Sequence, residues 1–202
     1  MAQLDLCGAS ISGNVTIDCD NIITPGLEQV GVIFNRNDIS TWTENADNNS
    51  VIEAITLKEG VKGHVIYQMG SQPFNGTNVA FAEGSIVNTF TNTCSFVILN
   101  NGPQVCKDII DNLANGSFVV LFKNKFSEKD SSGNHPGYWQ IMGKESGLKA
   151  SEISCDKYSD DTNSGWQITL TEEKATKSAL FFFKTDDETT DTTVQGLTEM
   201  TW

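Results

Sequence analysis

The stretch from Pro103 to Phe122, PQVCKDIIDNLANGSFVVLF, constrains the fold of this chain more than any other. Val105, Cys106, Ile109, Ile110 and Leu113 recur at the spacing that puts them on one face of an α-helix. Gln104, Lys107, Asp108, Asp111 and Asn112 take the other face. Pro103 suits the first helical position, where a missing N–H costs no hydrogen bond, and Asn115-Gly116 offers the left-handed residue that stops a helix. Directly afterwards Phe118, Val119, Val120, Leu121 and Phe122 run apolar without interruption, the pattern of a strand covered on both faces. The stretch predicts a mainly β chain with one α-helix over about 103–115, a β-sandwich or β-barrel with the helix flanking it.

The remaining segments are short and bounded by Asn, Asp, Ser, Thr and Gly, as turn-rich β proteins are. Strands are predicted over 27–34, 51–57, 64–69, 79–83, 93–99, 138–142, a short segment ending near Cys155, 166–170 and 179–183. Along the 166–170 strand Trp166, Ile168 and Leu170 point inward and Gln167 and Thr169 outward. Residues 43–50 (TENADNNS), 71–78 (SQPFNGTN), 127–137 and 156–165 are expected as loops, and 172–175 as a short polar connection. Residues 1–26 form an arm or an edge strand, with weak alternation over Asn14–Asp18. Residues 27–184 form the domain, and 185–202, acidic and rich in Thr, form a C-terminal arm. Its composition is that of a solvated tail, yet Val194, Leu197, Met200 and Trp202 suit an arm that orders on a neighbour.

At 202 residues the chain is long enough for a real core, and its net charge is −13. So acidic a surface repels a phosphate backbone, which argues against a sequence-reading nucleic-acid binder but suits a wall that DNA slides past. The first residues, MAQLDLCGASISG, have neither the basic nor the apolar region of a signal peptide, and no run reaches membrane-spanning length. Synthesis in a cytoplasm is therefore expected. Five cysteines, Cys7, Cys19, Cys94, Cys106 and Cys155, are an odd number and are expected to be reduced.

Chemistry-bearing motifs are weak. The cysteines have no close Cys or His companions, so no metal site is expected. Asp161, Asn163, Gly165 and Glu172 resemble a calcium loop only loosely, with the glycine misplaced. His64 and His135 lack a nucleophile context and are expected on a strand face and in a solvated loop. No phosphate-cradling glycine motif occurs, and no cofactor is expected. What exceeds background is the late aromatic cluster: Tyr138, Trp139, Trp166 and Phe181 to Phe183. Alternation can bury only half of such a run on one face, so the surplus must meet a second layer or a neighbouring subunit.

The order strand, Asn/Gly connector, helix (PQVCKDIIDNLANG), buried strand (SFVVLFKNK), GYWQIMGKESGLKASE and SGWQITLTEE, with DCDNIITPGLEQVGVIFNRNDIS upstream, resembles the tail-tube-like and ring-like structural proteins of tailed bacteriophages, particularly those of gut Bacteroidetes. The resemblance covers roughly 18–183 as an arrangement of elements and has no catalytic signature. It implies a structural virion protein, made in the host cytoplasm, whose identical copies close into a ring or tube forming part of a DNA conduit. Long loops and terminal arms would reach adjacent subunits. The implied partners are identical subunits and other tail or portal-proximal proteins, with DNA only as passing cargo. Phe181, Phe182, Phe183, Leu197 and Trp202 are then expected at the subunit interface, and Glu44, Asp47, Asp160 and Asp161 facing the lumen. The long stretch before Leu27 departs from a simple tube protein and leaves ring, collar, terminator and head-accessory roles open. The alternative is a phage fibre or capsid decoration domain that binds carbohydrate or a receptor, with Trp139 or Trp166 stacking on sugar rings. A glycan hydrolase on a jelly roll would require two catalytic carboxylates.

Overall fold

The computed structural model describes residues 11, 13–15, 24–160, 162–200 and 202. The chain is mainly β, in two sheets that do not close into a barrel. The strands are β1 (Leu27–Asn35), β2 (Ile39–Glu44), β3 (Val51–Leu57), β4 (His64–Tyr67), β5 (Asn78–Ala82), β6 (Thr89–Ile98), β7 (Phe118–Asn124), β8 (Trp139–Met142), β9 (Lys149–Ser154), β10 (Trp166–Ala175) and β11 (Leu180–Phe182). The larger sheet has seven strands in the order β2-β3-β11-β8-β7-β1-β4, antiparallel except for β11 against β3. The smaller has four, β5-β6-β10-β9, all antiparallel.

Strand β7 lies inside the larger sheet, between β8 and β1, and all five residues from Phe118 to Phe122 are buried, as their unbroken apolar run predicts. Phe118, Val120 and Phe122 face the smaller sheet and pack with Phe96, Ile168 and Leu170. Val119 and Leu121 point the opposite way, into a second cluster with Val32, Ile52, Trp139 and Phe182. The molecule therefore has an apolar layer on each face of one sheet.

Each layer is closed by a helix. Helix α1 spans 103–115 and begins at Pro103, as the sequence predicts, but its middle, Cys106–Ile110, is a π turn. Ile110 and Leu113 enter the layer between the sheets, whereas Ile109 is 41% exposed and not on the buried face that simple periodicity assigns it. Helix α2 is Asp187–Gly196, within the segment expected as an arm. It lies on its own chain, with Val194 in the second cluster, so the solvated-tail reading of this segment gives way to a docked helix. The reason is a cap. Asp186 adopts extended backbone and accepts from the Thr189 N–H at 2.7 Å and the Thr189 hydroxyl at 2.8 Å, starting a helix whose Thr-rich composition disfavours one.

Two further expectations change. Strand β2 forms where no strand is predicted and takes in Thr43 and Glu44 from the loop expected over 43–50, and β10 runs on through the expected polar connection. Glu172 follows the alternation of Trp166, Ile168 and Leu170 inward and is 2% exposed. Its carboxylate accepts from the backbone N–H groups of Gly143 (2.9 Å), Glu145 (3.0 Å) and Ser146 (2.8 Å) and from Asn92 Nδ2 (3.0 Å), tying the 143–146 turn to the smaller sheet. The weak N-terminal strand over Asn14–Asp18 and the cysteines Cys7 and Cys19 lie, wholly or in part, outside the described residues. Cys94, Cys106 and Cys155 are free thiols.

Candidate functional site

The site is built where the two sheets fail to meet. At one margin of the larger sheet, β4 pairs only with β1, in a register that sets Tyr67 opposite Val30 and His64 opposite Ile33. The Gln68 N–H donates to Gln29 O at 2.8 Å, which fixes the phase of the ladder. Ile66 and His64 then spend their backbone groups on β1, while Val65 and Tyr67 turn theirs outward. Among the described residues no backbone strand meets them.

In the smaller sheet β5 stops at the Asn78–Thr93 pair, leaving the last residues of β6 without a neighbour on that side. Two side chains take the place of the missing strand. Thr77 Oγ1 accepts from the Ser95 N–H at 3.1 Å. Gln68 grips Val97 at both ends: its Oε1 accepts from the Val97 N–H at 2.9 Å and its Nε2 donates to Val97 O at 2.9 Å. Gln68 is buried and makes a strand-like clasp from the edge of one sheet to the edge of the other.

Helix α1 roofs this seam, enclosing a groove of about 1040 Å³ between β4, the end of β6 and the helix. Four large apolar side chains stand exposed around it: Tyr67 (60%), Met69 (71%), Leu99 (51%) and, through the π turn, Ile109 (41%). Among its described lining residues Asp108 is the one acid and His64 the one histidine. In a chain of net charge −13, this face is nearly free of charge. The groove combines an apolar rim, a buried floor including Phe96 and Leu113, and a margin of outward N–H and C=O groups, features with which an extended polypeptide can pair.

The residues singled out in the sequence lie elsewhere. Phe182 is fully buried in the second cluster, which corrects its assignment to a subunit contact. β11 is flanked by β3 and β8, so its alternation buries Phe182 and leaves Phe181 and Phe183 half-buried. Leu197 packs on that cluster, and its carbonyl accepts from the Gly63 N–H at 2.8 Å. Trp202 is 41% exposed, with its ring centroid 6.4 Å from that of Trp139. Both therefore fold back on their own chain. Glu44 pairs with Lys144, whose hydrogen bond and charge hold the carboxyl below its usual range. Asp47 and Asp160 are exposed, and Asp161 lies outside the described residues. Trp139 is buried and Trp166 half-buried, so neither offers an open stacking face.

His135 is not the solvated loop residue expected. Its Nδ1 lies 2.7 Å from Asp187 Oδ2, its N–H donates to Asp187 Oδ1 at 2.8 Å, and its ring stacks on Tyr138 at 4.1 Å. Beside it, Asp191 accepts from Trp139 Nε1 at 2.6 Å and from Lys123 at 2.7 Å. This cluster pins α2 to β7 and β8, and no hydroxyl or thiol nucleophile bonds to His135 among the described residues. Among the described residues no three His, Cys, Asp or Glu side chains gather to hold a metal, and no helix is long and apolar enough to cross a membrane. Sequence reasoning missed the groove because its residues come from four separated segments. Only Ile109, on the helix face, carried a signal. Compared with protein families, with curated proteins and with solved structures, the chain matches none.

Proposed function

We propose that this protein is a structural assembly subunit whose identical copies associate into a homo-oligomeric ring or tube, in the role of a tailed-phage tail component through which DNA passes. The observation that carries the reading is the β4 margin, a strand edge unpaired among the described residues and rimmed by exposed Tyr67, Met69, Leu99 and Ile109. An open margin of this kind is an invitation to strand pairing, and chains that remain solitary blunt it with charge, proline or a covering element. Here the opposite margin, β2, carries the Glu44–Lys144 pair, while β4 is left nearly uncharged. The acidic remainder of the surface suits contact with passing DNA without adhesion. The tail assignment rests on the resemblance of the element order. Trp139 and Trp166, the tryptophans on which the carbohydrate-binding alternative depends, are buried and half-buried.

Light scattering over a range of concentrations, with negative-stain images of the same samples, tests the proposal. Annuli or stacked annuli are expected. A chain that stays monomeric at every concentration overturns it.

A further inference from the structure

We propose that the groove between α1 and β4 receives an extended strand from the N-terminal segment of a second copy, centred on residues 11–18 (ISGNVTID). This rests on the self-assembly reading and names the occupant of its site. The groove asks for a strand: Val65 and Tyr67 present outward backbone groups one pleat repeat apart, the spacing that an added strand satisfies. It also asks for apolar side chains on one side of that strand, to meet Leu99, Ile109 and Met69. The N-terminal segment has both properties. Val15 and Ile17 alternate in sequence with Asn14, Thr16 and Asp18. Val15 is 94% exposed and Ile11 is 86% exposed, and among the described residues nothing covers the groove either.

Reach and charge agree. Between Val15 and Thr24 an extended chain spans about 30 Å, enough to leave its own β1 and cross to a neighbour. The segment carries one acid, Asp18, and the described lining of the groove carries one, Asp108. For a protein of net charge −13, this pairing brings two copies together where like-charge repulsion is least. The π turn acquires a purpose in the same step: it turns Ile109 out of the core and onto the rim that the added strand covers.

Hydrogen exchange at the Val65 and Tyr67 amides of the full chain tests the inference, followed as concentration rises and beside light scattering. Protection of both amides is expected to grow with association. Val15→Asp should accelerate their exchange by about tenfold or more at the same concentration, while Val15→Ile retains the protection. A synthetic peptide of residues 9–20 added to the Val15→Asp chain should restore protection, and Leu99→Asp should abolish that rescue. Unprotected amides in a sample that shows annuli overturn the inference while leaving the assembly reading intact. Protection independent of concentration overturns it in favour of the chain's own segment. A chain that is monomeric but protected by the added peptide keeps the groove assignment and removes the ring.

Discussion

The two helices close opposite faces of the same sheet, and each does what its sequence least suggests. Helix α1 has the apolar stripe, yet it shows Ile109 to solvent, and Gly102, the residue that caps it, has no side chain to accept a hydrogen bond. Helix α2 is rich in Thr and Asp, yet it buries Val194 completely and Thr190 almost so, behind the Asp186 cap. Apolar periodicity decides whether a segment gains by forming a helix. It does not decide how much of the stripe the underlying sheet can cover. Under α1 the sheets diverge and leave a groove; under α2, β7, β8 and β11 present Leu121, Trp139 and Phe182 to a single valine and a ring of hydrogen bonds.

The sharpest way to break this contrast is to place a charge on each helix. Val194→Asp puts a carboxylate into a dry cluster and should cost about 3–5 kcal/mol by urea denaturation. Ile109→Asp, at the groove, should stay within about 1 kcal/mol. If both prove equally destabilising, α1 is as fully covered as α2 and the groove is not open.

A smaller effect tests the polar half of the α2 contact. Asp191→Ala leaves the indole N–H of buried Trp139 without its acceptor and should lower stability by about 1–3 kcal/mol, whereas Asp191→Asn, which keeps an oxygen there, should lower it less. Equal losses for the two variants would transfer the credit to the Lys123 ion pair.

The smallest effect is one of pH. The Asp186 carboxyl is held below its ordinary value by the Thr189 N–H and hydroxyl. Its contribution is therefore full above the unfolded carboxylate range, near 3.9, and disappears as pH falls through the lowered native value. Amides in the first turn of α2 should exchange progressively faster below about pH 4, relative to those of α1, which has no capping carboxylate. Parallel behaviour of the two helices on acidification would discard the cap as the cause of α2.

Much of the fold was legible. The boundaries of β3 and α1, the double burial of β7 and the inward face of β10 follow from period and punctuation alone, because each is a local pattern with a strong apolar component. The clearest misses share one physical origin. β2 and α2 are polar, carry little apolar pattern of their own and form because of what they pack on: β2 pairs with the next strand, β3, and α2 docks on the second cluster. Glu172 is instructive: its place in the alternation was visible, but its burial depends on three N–H groups from a turn some thirty residues earlier. The groove was the least legible feature, since no segment contributes enough of it to leave a pattern. Of the aromatic surplus Phe181 to Phe183, the second cluster takes Phe182, while Phe181 and Phe183 stay half-buried.

The amino-acid order by itself determined the class of fold, the helix at Pro103 and the acidic character of the surface, because periodicity, turn chemistry and charge are properties of neighbours along the chain. Only the tertiary structure decided which apolar residues stayed outside. That depends on how far two twisted sheets can follow each other before they part, and at that parting Gln68 bridges the gap and, among the described residues, β4 is left with an open side.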